Sequence, residues 1–281
     1  MSDEKNPHGQ TTGHVWDDTL AELTNEPPKW WMLGLHASWI LVLLYTIYYP
    51  SWPLISSHFK GMAGWTSIGE YKKDLAALNE VRSKYEDKLP GMSAAAILAD
   101  DELSNYVVRS AKVLFGDNCA ACHGTGGAGN PSYPVLVDDD WLWGGSVETI
   151  EQSITMGRNG MMPKMGGAQL TDDQIDTLAN AIYSGKVAEE PLFASSGCLA
   201  CHGADGKGNP MLGAPNLVDS IWRFRAKDQL ASIKYTIKHG VNDPTDADTR
   251  NAVMPKFGGT KLSETDIKKL TVYVHKLGGG Q

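Results

Sequence analysis

The sequence predicts an all-α protein, with one apolar helix near the N-terminus followed by two tandem helical domains. Three observations predict it. Trp30 to Tyr49 is a run of 20 residues without Asp, Glu, Lys or Arg. Beyond it the chain repeats itself, a block from about Leu103 to Lys186 being answered by one from about Ala188 to Gly278. Each block closes on a segment of helical periodicity behind a capping residue, Thr171 with Gln174 in the first and Ser263 with Asp266 in the second.

Taken in order, residues 1–29 are polar and read as a flexible tail. Residues 30–50 have the length to cross a hydrocarbon core of about 30 Å. Trp30 and Trp31 stand at one end, and Tyr48, Tyr49 and Trp52 at the other, as aromatic residues do at lipid–water boundaries. Pro50 and Pro53 stop the helix. The stretch is longer than a signal-peptide core and no A-x-A site follows, so a retained anchor is expected. His36 lies inside it and reads as a neutral histidine packed against a partner helix. Residues 51–102 read as a linker containing an amphipathic helix from about Tyr71 to Lys88, with Leu75, Leu78, Val81, Tyr85 and Leu89 at helical spacing. Residues 103–187 and 188–281 are then the two domains.

Composition narrows the partners. Hydrophobic residues make up 42% of the 281, which excludes wholesale disorder. The formal charge is −8 and no basic run occurs, so nucleic acid is not expected and a basic protein partner fits better.

All four cysteines fall in two C-x-x-C pairs, each followed at once by histidine: Cys119, Cys122, His123 and Cys198, Cys201, His202. This is the attachment sequence of c-type haem. Two thiols add to the porphyrin vinyl groups and the adjoining imidazole reaches the iron. A zinc site does not explain the histidine, and a thioredoxin-like pair needs a βαβ pattern that is missing. Two covalent haems are expected, with each repeat a class I cytochrome c domain.

Electron transfer favours a thioether as the second axial ligand, because it raises the reduction potential. Met162-Pro163 and Met254-Pro255 occupy equivalent places in the repeats, so Met162 is assigned to the first haem and Met254 to the second. Met161 and Met165 align with Val253 and Phe257, which argues against them as ligands. The spacing leaves open a crossed arrangement, each Met serving the other domain's haem. Pro134 and Pro215 follow the two motifs at similar distances and are candidate carbonyl acceptors for the ligating imidazoles. Arg158 and Arg223, with Trp141 and Trp222, are candidates to meet haem propionates. The second repeat inserts Asp243 to Val253 ahead of its Met, with Asp243, Asp246, Asp248 and Arg250, which reads most simply as a solvated loop, with tuning of docking at the second haem as the alternative.

The chain resembles the dihaem subunit III of cbb3-type cytochrome c oxidases. The resemblance rests on Thr11-Thr12-Gly13-His14-Val15-Trp16-Asp17, on Asn25-Glu26-Pro27-Pro28-Lys29-Trp30-Trp31, and on Asp140-Trp141-Leu142-Trp143-Gly144-Gly145-Ser146-Val147-Glu148-Thr149-Ile150, in addition to the two motifs. It implies a non-catalytic electron-transfer subunit. Electrons are expected from a soluble or membrane-bound cytochrome c and pass to a monohaem subunit II and a haem–copper subunit I that reduces oxygen and pumps protons. Lys29 and Lys60 leave orientation near a tie. Because haem c is attached in the periplasm of Gram-negative bacteria, a single-pass inner-membrane protein is expected, its tail cytoplasmic and its haem domains periplasmic. The rival readings are a free-standing anchored dihaem shuttle, the cytochrome subunit of another dehydrogenase, and a dihaem peroxidase. A Met-Pro in both repeats counts against the peroxidase, which needs a displaceable iron position.

Overall fold

The structure is a computed structural model and describes residues 11–280. The first ten residues of the expected tail lie outside the described part. The chain divides into two compact units, Met1–Val81 and Arg82–Gln281.

The first unit opens on a hairpin where a tail was expected. Strands β1 (Thr11–Trp16) and β2 (Leu20–Leu23) pair antiparallel, Trp16 opposite Leu20. Asp17 and Asp18 turn the chain with φ of 49° and 62°, the left-handed torsions that tight hairpins use and that aspartate tolerates. The Thr19 amide donates to Trp16 O at 3.2 Å, closing the turn. Without an Asp-Gly or Asn-Gly step the sequence carried no strong turn signal.

Helix α1 (Lys29–Tyr48) is apolar all round and has a mean hydropathy of 1.5, long and apolar enough to cross a membrane. His36 Nδ1 lies 2.6 Å from Met32 O one turn back, so its polar atom is satisfied within its own helix. The chain after Pro50 folds back to cover the free carbonyls of the last turn. Met62 N donates to Ile47 O, Ala63 N to Tyr48 O and Ser51 Oγ to Thr46 O. Gly61, at φ 71°, makes this approach possible, since a Cβ there would sit 2.5 Å from Tyr48 O. Helix α2 (Ser67–Glu86) follows, starting four residues before the expected helix and ending two before it.

Among the described residues, the second unit is helical apart from one two-residue strand pair, in keeping with the all-α class. Its elements are α3 (Ala94–Ala99), α4 (Asp101–Asn118), α5 (Ala120–His123), α6 (Val147–Met156), β3 (Arg158–Asn159), α7 (Asp172–Tyr183), α8 (Pro191–Ser195), α9 (Leu199–His202), α10 (Gln229–His239), β4 (Val253–Met254) and α11 (Glu264–His275). Residues 82–102, expected as linker, belong to this unit, and Leu89, Ala94 and Ile97 are fully buried in it. Side chains fix the helix starts: Ser93 caps α3, Asp100 caps α4, and Thr171 and Ser263 form reciprocal capping boxes. Asp266 completes its box as fully as Gln174 does.

Two lobes form, and they do not follow the repeat boundary at 187/188. The first packs Ala111 and Phe115 of α4 with Ile150 and Ile154 of α6, and with Ile267, Leu270, Tyr273 and Val274 of α11 from the end of the second repeat. The second packs Ile175, Leu178 and Ile182 of α7, from the first repeat, with Phe193 of α8 and Ile233 and Ile237 of α10. The repeats therefore exchange their final helices. The chain crosses between lobes where β3 pairs with β4, Arg158 opposite Met254, and where Met162 pairs with Val241.

Candidate haem sites

Each C-x-x-C-H motif forms one turn of helix, which brings its three functional side chains together. Cys119 ends α4, its amide donating to Phe115 O, and α5 continues through His123 until Gly124 breaks it at φ 75°. Cys198 and α9 repeat this, ended by Gly203 at φ 79°. The following loops fold alike: Gly129 N donates to His123 O and Leu136 N to Gly127 O, as Gly208 N does to His202 O and Leu217 N to Gly206 O.

These loops deliver the proline carbonyls. His123 Nδ1 lies 3.1 Å from Pro134 O, and His202 Nδ1 lies 3.0 Å from Pro215 O. Such a bond places the proton on Nδ1 and leaves Nε2 with its lone pair, the form a metal requires. Burial pushes both imidazoles below the ordinary histidine pKa, against the opposing pull of the carbonyls. Burial also pushes the Cys119 thiol up to about 11, the reverse of the lowered value that makes a dithiol reactive.

Both motifs line one continuous cavity of about 520 Å³. Met162 and Met254 line it too, and the crossed alternative left open by the spacing is the one the packing follows. Met254 and Phe257 lie against the core of the first lobe, with Cys119 and Ala120. Phe257 N donates to Ile154 O and Gly258 N to Thr155 O, binding this Met-Pro loop to α6 of the first repeat. In the other direction Met162 N donates to Val241 O and Lys164 N to Asp243 Oδ2. A Cβ built on Gly166 would come within 3.6 Å of Cys198 Sγ. Met165 enters the core of the second lobe and Met161 is exposed.

The family model described as cytochrome c oxidase, cbb3-type, subunit III matches residues 107–180 and 189–274. The N-terminal domain of cytochrome oxidase-cbb3, FixP, matches residues 8–56. This chain belongs to the cbb3-type cytochrome c oxidase subunit III family. It is 39% identical to the cbb3-type oxidase subunit FixP of Bradyrhizobium sp. (strain ORS 278), over 96% of this chain and 95% of that protein. It is 35% identical to the subunit CcoP of Cereibacter sphaeroides over 96% and 95% of the two chains, and 36% identical to CcoP of Rhodobacter capsulatus over 97% and 96%. Membership brings haem c, and the residues fit it: each motif offers a thiol pair and an imidazole of fixed tautomer, and these line one cavity together with two thioethers.

The remaining predicted residues are placed unevenly. Trp141 and Trp222 pack beside the cores of the first and second lobes, and the Trp141 indole N–H donates to Gly279 O, so it is already spent. Arg158 lines the cavity, its guanidinium 4.7 Å from the Trp143 ring, with Nε donating to Ser153 Oγ. Arg223 donates to Ser132 O in the loop after the first motif, close enough to His123 to lower its pKa. Within the loop expected to be solvated, Asp243 is buried, accepting from Thr245 as well as from Lys164. Sequence reasoning missed Arg250, although a signal existed: Arg158-Asn159 and Arg250-Asn251 each stand four residues ahead of the Met-Pro.

Proposed function

We propose that this chain is the dihaem electron-entry subunit of a cbb3-type oxidase, and that each repeat would supply the methionine for the haem attached to the other. His123 and Met254 would hold the first haem, and His202 and Met162 the second. Each haem, when bound, supplies a one-electron ferric–ferrous couple. The protein supplies the rest. Cys119 with Cys122, and Cys198 with Cys201, fix each ring covalently. Pro134 and Pro215 hold the imidazole planes. The Met254 and Met162 thioethers would complete the ligand sets, as donors that favour high potentials. The largely apolar walls limit solvent reorganisation when charge arrives.

The observation that carries this reading is the cavity shared by both motifs and both Met-Pro loops. Its continuity supports transfer between the two sites inside one folded unit. The apolar α1 supports a single-pass anchor, with the C-terminal unit on the periplasmic side where haem c is attached. Electrons then arrive from a periplasmic cytochrome c and leave through a monohaem subunit to the haem–copper subunit.

Affinity purification of the tagged chain from its native membranes tests this reading. Co-purification with a haem–copper subunit and oxygen uptake driven by reduced cytochrome c are expected. A chain that emerges without oxidase subunits is instead an anchored shuttle.

A further inference from the structure

Arg250 and Arg158 are equivalent under the repeat and share a ring contact and a backbone bond, although Arg158 also donates to Ser153 Oγ and Gln152 Oε1 while Arg250 also donates to Ser232 Oγ and meets the Tyr235 ring. Arg250 lies 4.5 Å from the Phe224 ring, as Arg158 lies 4.7 Å from Trp143, and Phe224 and Trp143 are themselves repeat equivalents. The Nη2 of Arg250 donates to Ser232 O at 3.2 Å, and that of Arg158 reaches Thr149 O at 3.4 Å. Each acceptor sits eight residues before the glycine that ends its helix, Gly240 or Gly157. Stacking and one backbone bond thus fix both guanidinium planes.

The first motif's side has an added cation. Arg223 replaces what is Leu142 in the first repeat, and it shares a cleft of about 560 Å³ with Arg250. Ser132 and Tyr133, from the loop between His123 and Pro134, line the same cleft. Among the described residues, none of the three arginines makes an ion pair with a carboxylate. The Nε of Arg250 is buried with no hydrogen-bond partner. Desolvation lowers the pKa of each; Tyr133 at Arg223 and Tyr235 at Arg250 oppose it in part, and no carboxylate does. A guanidinium withdrawn from water in this way calls for an anion.

We propose that Arg250 and Arg223 together clamp the propionate carboxylates of the first haem, and that Arg158 alone does so at the second. This rests on the dihaem reading above. The planar forks match a carboxylate, and their charge favours the ferrous state by opposing accumulation of positive charge at the iron.

The test is a redox titration of the full haem-loaded chain, which resolves two waves. Arg250→Gln and Arg223→Gln are expected to shift the same wave to lower potential, and Arg158→Gln to shift the other. Haem staining of denatured chain and the sulfur-to-iron absorption band stay intact, so failure of the dihaem reading is seen separately. Variants that displace different waves for Arg250 and Arg223, or that displace neither, overturn the clamp. Because a glutamine variant can fail to fold, a chain with all three arginines intact and Asp140→Asn, which removes the cavity carboxyl of pKa about 6, is titrated against pH as well. Both waves are expected to stay flat from about pH 5 to 8, since a paired carboxylate stays ionised in both oxidation states. A wave that falls across that range overturns the proposal whatever the variants do.

Discussion

The α-carbon of Gly240 faces the carbonyl of Met162 so closely that a Cβ built there would lie 2.3 Å from the oxygen. Gly157 stands in the same relation to Met254, at 2.4 Å. Each glycine ends a helix of one repeat, at φ 69° and 72°, and receives the Met-Pro loop of the other. Replacing Gly240 by Ala adds a left-handed penalty of about 1–2 kcal/mol to a backbone clash. The expected loss is at least about 2 kcal/mol, read as a lower thermal midpoint. The damage is expected at the Met162 loop, and that of Gly157→Ala at the Met254 loop. Interchanged effects on the two sulfur-to-iron bands count against the crossed assignment.

Met254→Leu removes a thioether from the first lobe. The haem bound by Cys119 and Cys122 is expected to lose potential, by a visible fraction of the ~0.8 V range that axial ligands span. In a chain with Cys119 and Cys122 both replaced by Ser, the same substitution is expected to leave the remaining haem's wave in place. A displaced wave in that background assigns Met254 to its own repeat.

Asp140 offers a pH dependence. Burial first, then the nearby Asp219, Asp138 and Asp139 carboxylates, raise its pKa from 3.8 to about 6. A carboxyl raised in the folded state binds its proton more tightly there than in the unfolded chain. Its contribution is therefore complete below about pH 4 and is lost as pH climbs through 6. Asp140→Asn is expected to stabilise the chain at pH 7 by about 1 kcal/mol, the shift being discounted for the side chain's partial exposure. Below about pH 4 the two chains should melt alike. An equal effect at both pH values contradicts the assignment.

Glu86 tests how the end of α2 is held within the haem-bearing unit. It accepts from Lys269 at 2.6 Å and from the Tyr106 hydroxyl, and the Lys269 side chain is only 9% exposed. Burial and this carboxylate push Tyr106 up to about 12. Glu86→Ala strands a buried ammonium and is expected to cost about 3 kcal/mol. Denaturant melts of the full chain read the cost, and an unchanged midpoint removes the pair from the list of stabilising contacts.

The legible part of this molecule was the part whose chemistry needs neighbours in sequence. Cys119, Cys122 and His123 must share one helical turn, so their spacing carries their function. The membrane-length run and the capped α7 and α11 were legible for the same local reason. The exchange of final helices was not. The repeats are alike enough that α7 and α11 present similar apolar faces, and periodicity cannot say which lobe receives which. The hairpin at Thr11–Leu23 was missed because Asp17 and Asp18 take torsions usually signalled by glycine or asparagine. Arg250 was missed because the inserted Asp243 to Val253 was set aside as loop, although the Arg-Asn pair heading each Met-Pro was visible in the sequence.

The interchange of α7 and α11 also has a bearing on biogenesis. A chain extended only through its first C-x-x-C-H block still lacks α11 and Met254, which pack against the first lobe and come from the end of the second repeat. A product truncated between α10 and α11 would lose the last helix of the first lobe while keeping every helix of the second, and one truncated before α10 would leave both lobes incomplete.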